Sequence, residues 1–208
     1  TKISTYMLDF GNIVAGKKVE LKFDIYNFNK TSLTFTIERK ELASIGYVIS
    51  TANQGDKFTI DPFSFITLNI THETNSKNLN FNKNTMKITM KDREVYEIDL
   101  FSFVAIPDLK LSINEVKFDK VYIGRKKIMR FRIENFTKVP VKWNIVNKDP
   151  MSKKLDKEGS GEYEIFTISP MFDRLEPGKK KTITVSFVPQ KSRVYKSKYE
   201  FIIDDNPR

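Results

Sequence analysis

Two stretches decide the fold: LKFDIYNFNK, Leu21–Lys30, and MRFRIENFTK, Met129–Lys138. They stand 108 residues apart, and adding 108 superposes the chain on itself without a gap for almost thirty residues. Phe10 falls on Phe118, Gly16 on Gly124, and Lys17-Lys18 on Arg125-Lys126. Leu21, Phe23 and Ile25 fall on Met129, Phe131 and Ile133; Asn27-Phe28 falls on Asn135-Phe136; Leu33, Phe35 and Ile37 fall on Val141, Trp143 and Ile145. Further on, DPFSFITLNIT (61–71) matches EPGKKKTITVSF (176–187) less cleanly. A repeat of this length is a duplicated unit of domain size, not a solenoid turn.

Within each copy the apolar residues alternate with Lys, Arg, Glu, Asp and Thr. Val19, Leu21, Phe23 and Ile25 share one phase; Ile183, Val185 and Phe187 behave alike. Period 2 with one polar phase predicts half-buried strands. Gly16, Gly124, Pro62, Pro177-Gly178 and the Asn-rich HETNSKNLNFNKN (72–84) supply the turns. No amphipathic helix longer than about two turns is legible. Short strands with one wet face predict an all-β chain of two antiparallel β-sandwiches. The division is predicted inside FVAIPDLKLS (103–112), giving residues 1–106 and 107–208, joined stiffly end to end through Pro107.

The chain has 208 residues, 17 Phe, one Trp, one His and no Cys. Each core is therefore held by burial alone, at roughly 1.5–3 kcal/mol per large apolar side chain. The lack of Cys suits a reducing, cytoplasmic setting. No apolar run approaches a membrane span. The chain starts at Thr1 and stops at FIIDDNPR, which is read as a piece of a longer polypeptide carrying further domains.

Chemistry is sparse. One histidine and no cysteine exclude His-based triads, Cys dyads and the usual zinc sites. His72 is read as a surface residue beside a polar loop. EGSGE (158–162) has acids around its glycines and no Lys-Ser/Thr after them, so it is a loop and not a phosphate cradle. No metal, cofactor or catalytic residue is assigned.

LDFGNIVAGKKVELKFDIYNFNKTSLTFTI (8–37) and FTISPMFDRLEPGKKKTITVSFVP (166–189) resemble the ASH domain. This is the immunoglobulin-like module of hydin and related ciliary and centrosomal proteins, close to major sperm protein and PapD-like folds. The likeness rests on Phe10 and Phe118, Gly16 and Gly124, Asn27 and Asn135, Phe166-x-Ile168-x-Pro170, and Pro177-Gly178. It covers essentially the whole chain, and the first copy, lacking the Pro-Gly, is the more divergent. It implies a non-catalytic scaffold segment of a cilium, flagellum (axoneme) or centrosome, within the cytoskeleton. Trp143 and Phe35 are read as core aromatics. The first copy ends with an extra strand, EVYEIDLFSFVAI (94–106), which the second lacks after KYEFIIDD (198–205). The second sandwich is therefore expected to be short of its last strand, with an open edge.

The net charge of +10 is unevenly divided: residues 1–106 hold 13 Lys/Arg against 12 Asp/Glu, residues 107–208 hold 23 against 14. Immunoglobulin-like connectivity gathers Arg125, Lys126, Lys127, Lys153, Lys154, Lys157, Lys191, Arg193 and Lys196 at one pole of the second sandwich, and Lys179-Lys180-Lys181 at the other. Two readings stand. The lysines keep a Phe-rich chain in solution, or they attract an acidic partner, for which Arg125, Lys126, Lys127, Lys153, Lys154, Arg193 and Lys196 are the candidates. The resemblance points to tubulin tails or axonemal proteins as that partner. Nucleic acid is disfavoured, because the aromatics fall on the buried phase. An alternative is a major sperm protein-like module that captures acidic peptides on outward Arg130, Arg132 and Lys142, read as lying on adjacent strands.

Overall fold

The computed structural model describes residues 6–51, 55–74, 79–91, 94–148 and 165–207. The chain divides into two compact units, Thr1–Ile106 and Pro107–Arg208. Unit 1 runs β1 (Tyr6–Val14), β2 (Lys18–Tyr26), β3 (Leu33–Ile37), a short helix α1 (Arg39–Ser44), β4 (Tyr47–Ser50), β5 (Lys57–Ile60), β6 (Phe65–Glu73), β7 (Asn80–Met90) and β8 (Val95–Ala105). Unit 2 runs β9 (Lys110–Leu111), β10 (Lys127–Glu134), β11 (Val141–Asn147), β12 (Phe166–Ser169), β13 (Phe172–Leu175), β14 (Lys180–Phe187) and β15 (Tyr199–Ile203).

Each unit is two facing sheets, so the all-β sandwich reading is borne out. In unit 1 the orders are β1-β8-β7-β3-β5 and β2-β6-β4; in unit 2 they are β12-β14-β10-β9 and β13-β11-β15. The register preserves the duplication. β2 pairs β6 as β10 pairs β14, and β3 lies between β5 and β7 as β11 lies between β13 and β15. The alternation does what period 2 requires: Phe35 and Ile37, like Val141, Trp143 and Ile145, are buried, while Phe23 and Phe131 pack half-buried against their own cores. Gly16 and Gly124 both adopt positive φ, +84° and +72°, at the turns that precede β2 and β10. A side chain would be strained there.

The repeated Asn ties the two sheets of each unit together. Asn27 is 1% exposed and donates through Nδ2 to the carbonyls of Thr31, Ile60 and Asp61 at 2.9, 3.1 and 3.0 Å. Its Oδ1 accepts the N–H of Asn29 at 3.0 Å. Asn135, fully buried, donates to Val139 and Leu175 at 2.9 and 2.8 Å, and accepts from the N–H and hydroxyl of Thr137. Its backbone is also engaged, donating to Lys179 O and accepting from Gly178 N.

That second contact explains a departure from the repeat. The turn Glu176–Lys179 closes with Lys179 N on Glu176 O and places Gly178 at φ +71°. Asp61–Ser64 closes in the same way, with Phe63 at φ +55° where the other copy has glycine. The left-handed turn is kept although the residue that favours it is absent.

One expectation is overturned. His72 is not a surface residue; it is 1% exposed, inward-facing on β6. Its ring stacks on Tyr47 at 4.1 Å, with Nδ1 3.2 Å from Gly46 O and Nε2 3.2 Å from the Ser102 hydroxyl of β8. The strand continues three residues past Ile70, to Glu73, so the alternation carries His72 inward with Leu68 and Ile70. Burial pushes its pKa below the ordinary 6.5, partly opposed by the Gly46 carbonyl.

Three outcomes follow. Asn135→Ala strands two carbonyls and a backbone N–H, and is expected to cost unit 2 about 2–4 kcal/mol in denaturant unfolding followed by the fluorescence of Trp143, the chain's one tryptophan. Phe63→Gly relieves the left-handed strain and is expected to stabilise unit 1 by up to about 1 kcal/mol, read from amide exchange in β2 and β6. Because folding lowers the His72 pKa, the unfolded chain takes up the proton first. Unit 1 is therefore expected to keep full stability above pH 6.5 and lose it as pH falls below that value. The slope is expected to vanish in His72→Asn.

Candidate functional site

The start of β10, the end of β14 and the start of β12 meet at one pole of unit 2, as the pairs Lys127–Phe187 and Phe166–Phe187 require, and the end of β11 and the start of β15 adjoin each other in the facing sheet. The turn Tyr122–Arg125 closes with Arg125 N on Tyr122 O at 3.0 Å. It is held against the chain leaving β14 by Gly124 N donating to Pro189 O at 2.8 Å. The segment after Pro189 is braced by Tyr195, whose hydroxyl accepts Lys191 N at 2.8 Å and whose ring meets Phe187 edge-on at 5.6 Å. The Arg193 guanidinium lies over the Tyr195 ring, 4.8 Å from its centroid. A tyrosine anchored in the core thus carries an arginine at the surface, a cation–π seat that limits the freedom of the charge.

The candidate residues separate accordingly. Arg125, Lys126, Arg193 and Lys196 are exposed on these two tethered segments. Among the described residues none of the four makes an ion pair. Lys127 is different: its Nζ donates to Phe118 O at 2.6 Å and stands 3.9 Å from an Asp119 carboxylate oxygen. It fastens the segment before β10 more than it meets solvent. Lys153, Lys154 and Lys157, with the EGSGE loop, lie outside the described residues.

The other pole shows the contrast. Lys180 pairs with Glu134 at 3.4 Å and Lys181 with Asp173 at 2.6 Å. The hydrogen bond from Lys181, followed by that from Arg174 N, holds the Asp173 carboxyl below the usual carboxylate range. There Lys180 and Lys181 are offset by neighbouring acids, while Lys179 is exposed with no ion pair among the described residues.

The alternative trio is split. Arg130 and Arg132 are exposed on β10, opposite Thr184 and Thr182 of β14. Lys142 is on β11, which belongs to the facing sheet. β10 and β11 follow each other in sequence but cross from one layer to the other, so Lys142 points away from the two arginines. It borders instead a shallow depression of about 380 Å³ shared with Phe172, Asp173, Arg174 and Asp204. The expectation of three cations on adjacent strands is corrected.

Sequence reasoning missed an apolar surface. Phe28 and Phe136, matched in the repeat, are both exposed, at 82% and 59%. In unit 1, Phe28 stacks on Tyr26 at 5.9 Å and Tyr26 on Phe65 at 5.2 Å, a solvent-facing aromatic ledge. The signal was available: Tyr26 and Phe28 fall on the same phase as the polar Glu20, Lys22 and Asp24.

Among the described residues no group of three or more His, Asp or Glu is placed to hold a metal ion, and no helix is long and apolar enough to cross a membrane.

Comparison with known proteins bears out the ASH-type, hydin-like reading. Residues 105–201 match the family described as Cep192 domain 7. The human hydrocephalus-inducing protein homolog is 24% identical over 225 residues, covering 97% of this chain and 4% of that protein. The mouse hydrocephalus-inducing protein is 24% identical over 217 residues, with the same coverage. The chain thus spans about 4% of the length of these relatives. The solved ASH/PapD-like domain 7 of human CEP192 is 22% identical, covering 39% of this chain and 61% of that one, with a TM-score of 0.33.

Proposed function

For a chain of ASH-type, hydin-like domains, we propose a non-catalytic interaction segment of a longer ciliary or centrosomal protein. Its second domain holds a basic pole out to an acidic polypeptide, of which tubulin tails are the first choice. The observation that carries this reading is the asymmetry between the poles of unit 2. Lys180 and Lys181 are offset by Glu134 and Asp173, whereas Arg125, Lys126, Arg193 and Lys196 are exposed, with no acid paired to them among the described residues. Unpaired exposed cations on braced segments concentrate positive potential at one place.

The Ser102 hydroxyl and His72, 3.2 Å apart, are 2% and 1% exposed and closed to a substrate, and the exposed surfaces support binding. The aromatic ledge of Tyr26, Phe28 and Phe65 gives unit 1 an apolar contact surface of different chemistry. A major sperm protein-like capture of acidic peptides would now rest on Arg130 and Arg132 without Lys142.

The full chain is expected to sediment with microtubules at low salt and to be released as salt rises past physiological strength. Reversing Arg125, Lys126, Arg193 and Lys196 to Glu is expected to weaken retention about tenfold or more, each exposed charge contributing a few tenths of a kcal/mol. No retention of the native chain at low salt refutes the tubulin assignment. Saturable capture of an acidic peptide, lost in Arg130→Glu/Arg132→Glu but kept in the pole variant, would favour the alternative.

A further inference from the structure

β1 does not alternate simply. Asp9 stands opposite Phe101 and Asn12 opposite Phe103, three steps on β1 for two on β8, with Gly11 at φ +69° between them. The extra residue lets Phe10 and Ile13 both enter the core and leaves Asp9 and Asn12 both exposed on the outer face of the sheet. Gly11 N donates to Asp9 Oδ1 at 2.8 Å, which holds the bulge and engages one oxygen of the carboxylate.

Three phenylalanines flank the same place. Phe101 and Phe103 lie on the phase of β8 that faces away from the core residues Ile98, Leu100 and Val104. Phe81, opposite Phe103 on β7, is 63% exposed, and its ring stacks on Phe101 at 5.8 Å. Asp9, Gly11, Asn12, Phe81, Phe101 and Phe103 line a depression of about 420 Å³ on the outer face of unit 1. It is separate from the ledge of Tyr26, Phe28 and Phe65, which lies on the other sheet and its turns.

The neighbouring residues show what such a surface holds. Two positions along β7 from Phe81, Lys83 lies with its Nζ 5.6 Å from the centroid of the Phe101 ring and 3.0 Å from a carboxylate oxygen of Asp99. That cation has an aromatic ring and an acid together. Asp9 supplies a second acid beside Phe101, on the opposite strand, and makes no ion pair among the described residues. The duplication shows that the fold does not require it: at the 108-residue offset, Asp9 and Asn12 fall on Lys117 and Lys120.

We propose that this depression is a seat for an arginine side chain of a separate, basic protein. The aromatic rings attract a cation through their faces, and the Asp9 carboxylate attracts it by charge. A guanidinium is planar, so it lies flat against a phenyl ring, and its five N–H donors can meet the second oxygen of Asp9 and the carboxamide of Asn12 at once. A lysine ammonium would answer the charge but not the planar contact. Arg39, Arg174 and Arg193 of this chain each have a ring or carboxylate of their own, at Phe58, Glu176 and Tyr195, and the seat is assigned to another protein's arginine. The function proposed above concerns unit 2 and an acidic partner, so either reading can fail without the other.

The test titrates the full chain with Nα-acetyl-arginine methylamide at millimolar concentration, followed by amide NMR shifts, with the citrulline and lysine analogues as controls. Saturable shifts are expected at the amides of residues 9–12 and 101–103 with the arginine probe, and none with citrulline, which keeps the shape without the charge. Asp9→Asn retains an oxygen for Gly11 N, and is expected to weaken binding about fivefold. Phe81→Ala removes an exposed ring that the core does not use, and is expected to weaken it about threefold. No saturable shift, equal shifts with citrulline, or full binding in both variants overturns the proposal. Equal binding of the lysine probe overturns the choice of arginine. Self-association of the full chain that Asp9→Asn abolishes, read by sedimentation, overturns the assignment to a separate protein and makes the occupant a second copy of this chain.

Discussion

A buried side-chain amide at the end of one strand holds each of these sandwiches in register. Two sheets packed by apolar contact alone have no directional term to fix how one lies over the other, and neither unit has a disulfide to supply it. Asn27 and Asn135 supply it with hydrogen bonds. Each leaves the last residue of its strand, β2 or β10, and donates to the strand of the facing sheet that closes on the same turn, at Ile60 or Leu175. Because the donors are buried, the alternative to these bonds is not water but an unsatisfied group, so sliding one sheet over the other is opposed steeply.

The constraint propagates into the neighbouring turn. For the Asn backbone to be satisfied, the chain at 61–64 and 176–179 must bend so that Ser64 O and Lys179 O face it. That bend is what places Phe63 and Gly178 in the left-handed region. The first copy keeps both the turn and the amide clamp without the glycine, holding Phe63 in the left-handed region instead. The Pro-Gly that makes the second copy easy to recognise is a consequence of the clamp.

Much of this was legible. Period 2 gave the strands, and the 108-residue offset gave the duplication. Gly16 and Gly124 marked turns whose φ values require them. What escaped has a common cause: alternation reports which face a residue occupies, not which sheet its strand joins or where the strand stops. β10 and β11 carry identical signatures whether they pair or cross between layers, so Lys142 was grouped with arginines on the opposite side. His72 lay one step beyond the last obvious apolar residue, and polarity was taken for exposure although Tyr47 and Ser102 satisfy it from two elements. Phe28 and Phe136 were matched in the repeat without being assigned a face, and both are exposed. The pairing of Lys180 and Lys181 with acids could not be read either, because the first depends on the β10–β14 register and the second on β14 and β13 meeting from different sheets.

The clamp also bears on how one framework can present different surfaces. If register were distributed over the whole sheet interface, altering the outward phase of a strand would disturb it. Concentrated in one Asn and its turn at one pole, it leaves the outward phase and the opposite pole free to vary. Unit 1 uses that freedom for stacked aromatics at Tyr26, Phe28 and Phe65, close to the clamp. Unit 2 uses it for cations at Arg125, Lys126, Arg193 and Lys196, at the pole farthest from Asn135. Seating Arg193 on Tyr195, and Tyr195 on Phe187, ties that charge to the core without spending any of the clamp's contacts. A duplicated domain whose register rests on so few atoms can diverge in charge by eight units while β2 and β3 stay aligned residue for residue with β10 and β11.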